Sequence, residues 1–273
     1  MRDIKTNVVW KHLETSKKKI IIEQGGSRSG KTYNILMWIV FGYCLRNKNK
    51  IVSVCRKTFP ALRTSALRDF LEILKNYELY KEEDHNKTSS EYKLNGNLIE
   101  FISLDSPTKV RGRKRDLLFI NEANELFWED WNQLIFRTVG RVILDYNPSD
   151  EFHWIYDKVK TREDADFFKT TYKNNKFLEE SIVKEIERLQ YTDENYWRIY
   201  GLGEIGQSKS TIFDFREIET IPENAKFISM GMDFGYTNDP SVLCKIYLHD
   251  TNIYCEELFY RTGMTNRDIH NEL

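Results

Sequence analysis

Residues Gly25-Gly26-Ser27-Arg28-Ser29-Gly30-Lys31-Thr32 place glycine, lysine and a hydroxyl at the spacing G-x-x-x-x-G-K-[ST], the pattern of a loop that wraps phosphate. Glycines let backbone N–H groups close around an anion. The lysine ammonium reaches the β- and γ-phosphates, and the hydroxyl reaches Mg²⁺. Gly25 through Thr32 are therefore the expected nucleotide-binding residues, with ATP and Mg²⁺ as ligands. Ile20-Ile21-Ile22 reads as a buried strand before the loop, and Thr32 to Leu45 as a helix after it, so the loop opens onto a helix start. A glycine turn arising by chance would not need that context. Arg28, inside the loop, is positioned by sequence to bond two phosphate oxygens and to stabilise charge as the γ-phosphoryl departs. The plainer alternative is a surface arginine on a turn.

Such a loop needs a second strand that brings a metal ligand and a base. Leu117-Leu118-Phe119-Ile120 followed by Asn121-Glu122 fits. Glu122 is the expected group that polarises the attacking water. Asn121 stands where an acid is usual: its amide oxygen can accept from a metal-bound water but brings no charge, which leaves Mg²⁺ more dependent on Thr32 and the phosphates. The alternative is a strand that ends in a solvated turn. Asp145-Tyr146-Asn147-Pro148 follows the next strand, and in a parallel sheet a polar residue at that end sits near the γ-phosphate. Asn147 is the candidate that senses it, against the reading of an ordinary Asn-Pro helix start.

The elements that position these groups follow from periodicity. Ile51 to Cys55, Leu117 to Ile120 and Arg141 to Asp145 read as strands, Asp166 to Tyr172 as extended, and Tyr92 to Ile102 as a hairpin around Asn95-Gly96. Leu62 to Tyr77, Leu126 to Thr138, Ile182 to Leu189 and Glu194 to Tyr200 read as helices. Alternating strands and helices predict an α/β fold with a mostly parallel sheet covered on both faces. Residues 1–205 are thus expected to form a P-loop NTPase domain. Gly201 to Ser210 carries three glycines and two serines and reads as a linker, with the domain boundary expected over 206–225. Phe227 to Asp233, Val242 to Leu248 and Ile253 to Phe259 then read as three successive strands, and Thr265 onward as a helix. That second unit, 226–273, leaves an apolar sheet face poorly covered.

The formal net charge of -1 excludes a global basic field, although basic residues cluster at Lys17 to Lys19, at Arg46, Lys48, Lys50, Arg56 and Lys57, and at Lys109, Arg111, Arg113, Lys114 and Arg115. The last cluster precedes the candidate catalytic strand and is either a solvated loop or a phosphate-facing one. Four cysteines show no C-x-x-C pair, and Cys55 and Cys244 lie in apolar runs as buried thiols. A reducing cytoplasm is expected. No stretch approaches the roughly 20 apolar residues that span a bilayer.

Together, the Gly25–Thr32 loop, Arg56-Lys57-Thr58-Phe59-Pro60-Ala61-Leu62-Arg63, Phe119-Ile120-Asn121-Glu122-Ala123, Asp145-Tyr146-Asn147-Pro148, and Asp233-Phe234-Gly235 followed by Asp239-Pro240 occur in an order that resembles the large subunit of tailed-phage terminases. The resemblance implies an N-terminal ATPase that drives double-stranded DNA into a procapsid and a C-terminal nuclease with an RNase H-like fold. It also implies a small terminase subunit, a portal protein and a ring of copies as partners, in the cytoplasm of a bacterial host and away from membrane. Carried onto this chain, it makes Lys31, Thr32 and Glu122 the ATPase core. Arg28 becomes the loop arginine, Asp145 to Pro148 the coupling segment and Asp233 the first nuclease metal ligand.

Two departures stand out. Asn121 replaces an aspartate, and the family's remaining nuclease acids lie beyond residue 273. Glu256 and Glu257 are the nearby substitutes, but strand alternation turns one of them away. The chain is therefore expected to lack nuclease activity by itself. Competing readings are a helicase and a degenerate prophage remnant that binds nucleotide or DNA without turnover. The Asp233 strand with two strands after it favours the terminase over the helicase, which generally follows with a second ATPase-like domain. Arg56, Lys57, Arg63 and the Lys109 to Arg115 loop are candidates either for duplex phosphates or for action in trans at a subunit interface.

Overall fold

Strands that are apolar on both faces require cover on both faces, and alternation decides which residue meets which layer. In the computed structural model, which describes residues 4–105, 114–207, 216–235 and 239–272, the chain divides into two compact units, Met1–Ser210 and Thr211–Leu273. The first holds β1 (Ile20–Gly25), β2 (Ile51–Arg56), β3 (His85–Asn86), β4 (Glu91–Leu94), β5 (Asn97–Ser103), β6 (Arg115–Ile120), β7 (Thr138–Tyr146) and β8 (Ala165–Thr170). They form one sheet in the order β3-β4-β5-β2-β6-β7-β1-β8. The junctions from β5 through β2, β6, β7 and β1 to β8 are parallel. The β3-β4-β5 edge is antiparallel.

Both faces are packed. Ile21, Val52, Val54, Leu117, Phe119 and Ile143 point to one layer, where Val9, Leu13, Ile35, Leu36, Phe70 and Ile73 come from helices. Ile20, Ile22, Leu118, Ile120, Val142 and Leu144 point to the other, against Trp131, Leu134, Trp154 and Ile155. The period of two along each strand thus feeds two cores from one sheet. The Asn95-Gly96 hairpin is observed, with Leu94 paired to Asn97. Both turn residues take positive φ, 53° and 79°, as a tight two-residue turn requires. A helix at Val8–Thr15, capped by the Asn7 side chain, which accepts from the Val9 N–H, was not expected from the sequence.

Three expectations are corrected. Arg115 does not belong to a phosphate-facing loop: it opens β6 and is buried, at the strand end opposite Asn121. A strand rises about 3.3 Å per residue, so the intervening length keeps its guanidinium away from the loop edge. Lys114 is exposed, and Lys109, Arg111 and Arg113 lie outside the described residues. Gly201 to Gln207, read as linker, is bonded into the first unit: Leu202 N–H donates to Trp197, Glu204 N–H to Arg198 and Gly206 N–H to Pro148. Residues 208–215 of the expected linker lie outside the described residues. Cys55 is buried with its thiol pushed up to about 12 by burial, whereas Cys244 is only partly buried.

The second unit holds β9 (Lys226–Asp233), β10 (Ser241–His249) and β11 (Asn252–Arg261), an antiparallel sheet ordered β11-β10-β9, and a helix at Asn266–Glu272. Its core is Leu243, Phe259, Met264 and Ile269. Phe227, Ile228, Met230, Ile253 and Tyr260 are exposed, as the expectation of a poorly covered sheet required. Among the described residues no helix is long and apolar enough to cross a membrane.

Trp131 is fully buried and its ring packs 5.4 Å from that of Trp154. Trp131→Ala should cost about 3–5 kcal/mol, read as a lower urea midpoint. A midpoint shift worth under about 1 kcal/mol would contradict this packing.

Candidate active site

Because β6, β7 and β1 are adjacent and parallel, with Leu144 paired to both Ile120 and Ile22, their C-terminal residues meet along one sheet edge. The phosphate loop leaves β1 there, Asn121-Glu122 leaves β6, and Asp145-Tyr146-Asn147 ends β7. Residues about ninety apart in sequence thereby become neighbours.

Backbone geometry sets the loop. A Cβ at Gly26 would lie 2.4 Å from the Tyr200 carbonyl oxygen, and Gly30 takes φ 81°, so both positions need glycine. Ser27 N–H donates to the Tyr200 carbonyl at 2.8 Å. The amides of Asn7 and Asn175 hold the carbonyls of Ser29 and Arg28 at 3.0 and 2.9 Å. Arg28 itself adopts φ 59° and is exposed at the tip of the loop. Lys31 turns back into the loop and is only 7% exposed. Its ammonium donates to the carbonyls of Gly25 and Gly26 and to Asn147 Oδ1, each at 3.0 Å. Burial pulls its pKa down, while the charges of Asp145, Glu122 and Glu23 oppose that shift. A phosphate oxygen entering the loop would compete for the same ammonium.

Asp145, 1% exposed, accepts from three directions. The Thr32 hydroxyl donates to Oδ2. Asn121 Nδ2 and the Glu122 N–H donate to Oδ1 at 3.0 and 2.9 Å. Asn121 Nδ2 also lies 3.3 Å from Thr32 Oγ1, and Asn121 Oδ1 accepts from Ser65 at 3.3 Å. An ionised carboxylate only accepts, so the nitrogen of the amide must be the atom that faces it. Asn121 thus presents a donor on this side, where the sequence suggested an oxygen. Glu122 sits in left-handed backbone, φ 51°. Burial, reinforced by Asp145, raises its carboxyl from 4.5 to about 7.

Tyr146 donates to Gln24 Oε1 at 2.9 Å, and Gln24 Nε2 donates to the Gly203 carbonyl at 2.7 Å. Asn147 meets Lys31, and the next carbonyl, Pro148, accepts from Gly206 N–H at 3.0 Å. The expected sensing position therefore touches both the loop and the segment beyond residue 200. Beneath the loop, Glu23 is fully buried. Burial raises its carboxyl to about 7, while the hydrogen bond with His12 Nδ1 at 2.5 Å opposes that rise.

A cavity of ≈ 560 Å³ adjoins Gly30, lined by Tyr33, Asn34, Asn76, Tyr77, Asn175 and Phe177. Its size and aromatic walls suit a flat heterocycle. Neither this cavity nor the Thr32–Asp145 contact was found from sequence. Asp145 did carry one usable signal, a carboxylate closing an apolar strand as Asn121 closes its own. Arg56 is engaged internally, with Nη2 2.7 Å from Glu125, and Lys57 pairs with Asp130 at 2.8 Å. Arg63 is exposed. Asp233 is exposed at the end of β9, in the other unit. Among the described residues no cluster of three or more His, Cys, Asp or Glu side chains is placed to hold a metal.

A family model described as phage terminase large subunit matches residues 17–204. The chain is 24% identical over 287 residues to the PBSX phage terminase large subunit of Bacillus subtilis (strain 168), covering 91% of this chain and 66% of that protein. It is 25% identical over 260 residues to the large terminase subunit of Bacillus phage SPP1, covering 85% and 61%. The chain thus spans less than two thirds of the length of these relatives. Among solved structures, the large terminase of a thermophilic bacteriophage in complex with ADP is similar, with TM-score 0.62 and 19% identity, covering 98% of this chain and 73% of that one. The ATPase domain of the Thermus phage P74-26 large terminase gives TM-score 0.52 at 15% identity, covering 74% and 94%. Both are likenesses of fold.

Folded Glu122 keeps its proton to about pH 7, while the unfolded chain releases it near 4.5. Its contribution to stability is full below the lower value and is lost as pH rises through the higher. Glu122→Gln should flatten the decline of the urea midpoint across that window, so that the variant gains on its parent as pH rises. Superimposable pH profiles would show that Glu122 does not titrate there.

Proposed function

The chain belongs to the phage terminase large-subunit family, and from that premise we propose that it is an ATP-hydrolysing motor subunit that moves double-stranded DNA into a procapsid. The observation that carries this reading is the convergence of Lys31, Thr32, Glu122, Asp145 and Asn147 on one sheet edge. The oxygen donors on this side are the Thr32 hydroxyl and the Asp145 carboxylate, which suit Mg²⁺. Mg²⁺ held beside Thr32 would supply positive charge against the charge that develops on the phosphates. The loop N–H groups and Lys31 hold the β- and γ-phosphates, and the exposed Arg28 swings onto the departing γ-phosphoryl. Glu122 takes the proton of the attacking water. Asn147 loses or regains Lys31 as phosphate arrives and leaves, and passes that state through Pro148 to Gly206. The cavity beside Gly30 receives the base. Portal protein, small subunit and further copies in a ring, in the bacterial cytoplasm, complete this reading.

The second unit is proposed as the start of an RNase H-like nuclease that does not cut by itself. Strand register puts Glu257 opposite Cys244 and Gly231, on the face of Asp233, and puts Glu256 on the other face. One further carboxylate falls short of the set that two-metal cleavage requires. Supercoiled plasmid incubated with the chain and Mn²⁺ should stay intact, and nicking that Asp233→Asn removes would contradict the proposal.

The ATPase reading is tested by phosphate release from Mg²⁺·ATP with and without linear duplex DNA. DNA should raise turnover, Lys31→Ala should abolish it, and Glu122→Gln should lower it about 100-fold or more. Because the base must be ionised, the rate should fall as pH drops through about 7. Full turnover in Lys31→Ala would sink the assignment, and nucleotide binding without release would favour a remnant.

A further inference from the structure

Asn121 removes a negative charge from the place where a phosphate-bound cation needs one, and the neighbouring strand supplies a carboxylate. We propose that Asp145, at the end of β7, carries the cation-ordering charge that Asn121 cannot, and that Asn121 acts as a positioning residue for Asp145. The inference rests on the ATPase reading and adds to it the residue that orders Mg²⁺ beside Thr32.

Four observations support the transfer. Ile120 pairs with Leu144 in parallel register, so Asn121 and Asp145 are the next positions on adjacent strands and can exchange roles without moving the backbone. Asp145 Oδ2 meets the hydroxyl of Thr32, the side chain that reaches the cation in such loops. Oδ1 is fixed by Asn121 Nδ2 at 3.0 Å and the Glu122 N–H at 2.9 Å, which leaves Oδ2 as the oxygen turned toward Thr32. Finally, Asn121 Oδ1 is occupied by Ser65, so the amide offers its donor to the carboxylate. An aspartate at 121 would instead set two carboxylates about 3 Å apart, an arrangement that forces one to hold a proton. Asparagine at 121 and aspartate at 145 are in this sense one device. Mg²⁺ commonly uses one or two carboxylates with phosphates and waters, and a single relocated acid meets that demand.

The test uses four versions of the full chain: the parent, Asp145→Asn, Asn121→Asp, and the double exchange. Affinity for a fluorescent ADP is measured in Mg²⁺ and in EDTA, so the readout is the gain due to the cation and not turnover. The parent should bind in EDTA through Lys31 and the loop, and more tightly in Mg²⁺. Asp145→Asn should keep its EDTA affinity and lose about 10- to 100-fold of the Mg²⁺ gain. Asn121→Asp alone should not improve on the parent, and the double exchange should recover most of the gain because the carboxylate returns to β6. A Mg²⁺ gain in Asp145→Asn within about twofold of the parent, or a double exchange no better than Asp145→Asn alone, would overturn the proposal. If Asp145→Asn also loses EDTA binding through misfolding, the double exchange decides alone: recovery supports the transfer and non-recovery overturns it. A parent that binds no nucleotide under either condition would overturn the ATPase reading itself, and this inference with it.

Discussion

One buried ammonium organises the first unit. Lys31 is almost wholly withdrawn from water, and a charge there is tolerated only if acceptors surround it. The Gly25 and Gly26 carbonyls come from the loop, Asn147 from β7, and the charges of Asp145 and Glu122 from β7 and β6. No single segment supplies that set. The sheet order β6-β7-β1 is the arrangement that brings it together, and the two apolar layers exist to hold those strands edge to edge.

This dependence explains what the sequence could and could not reveal. The strand, glycine turn and helix around Gly25 to Thr32, the turn at Asn121-Glu122 and the alternating strands were legible because each is a local pattern: a fixed spacing, a polar pair closing an apolar run, a period of two. The contact of Asp145 with Thr32 was not legible, because nothing local says that β7 lies between β6 and β1. Arg115 misled for the same reason. As part of a basic run it resembled a loop residue, yet β6 begins with it, and strand length carries it to the far side of the sheet. The Val8–Thr15 helix was missed because its periodic face is short, although Asn7 stood at its start as a recognisable cap. The Gly201–Gln207 run was misread because glycine marks close approach as well as slack. Here a Cβ on Gly203 would lie 2.7 Å from the Gly26 nitrogen and 2.8 Å from the Gly25 Cα.

The second unit shows the opposite balance. Its register is well defined across β9, β10 and β11, but four buried side chains form its core and many large apolar ones remain in water. A three-stranded sheet with so small a core obtains its order mainly from strand pairing, and its exposed apolar groups fall on both faces: Phe227 and Met230 on the face of Leu243, Ile253 and Tyr260 on the face of Asp233.

The chain leaves the first unit by way of Tyr200 to Gln207, and this exit is fastened along its length: the Tyr200 carbonyl holds Ser27 in the phosphate loop, the Gly203 carbonyl holds Gln24, Gly206 holds the Pro148 carbonyl beside Asn147, and Gln207 is held by Asn195. Mechanically these bonds tie the exit to the loop of Lys31 and to the turn of Asn147. Tension applied beyond Gln207 is therefore borne first by Asn195, next by Pro148 beside Asn147, and last by the loop at Ser27. A shift of the loop, conversely, becomes a displacement of the exit, as a trigger and its cable move together.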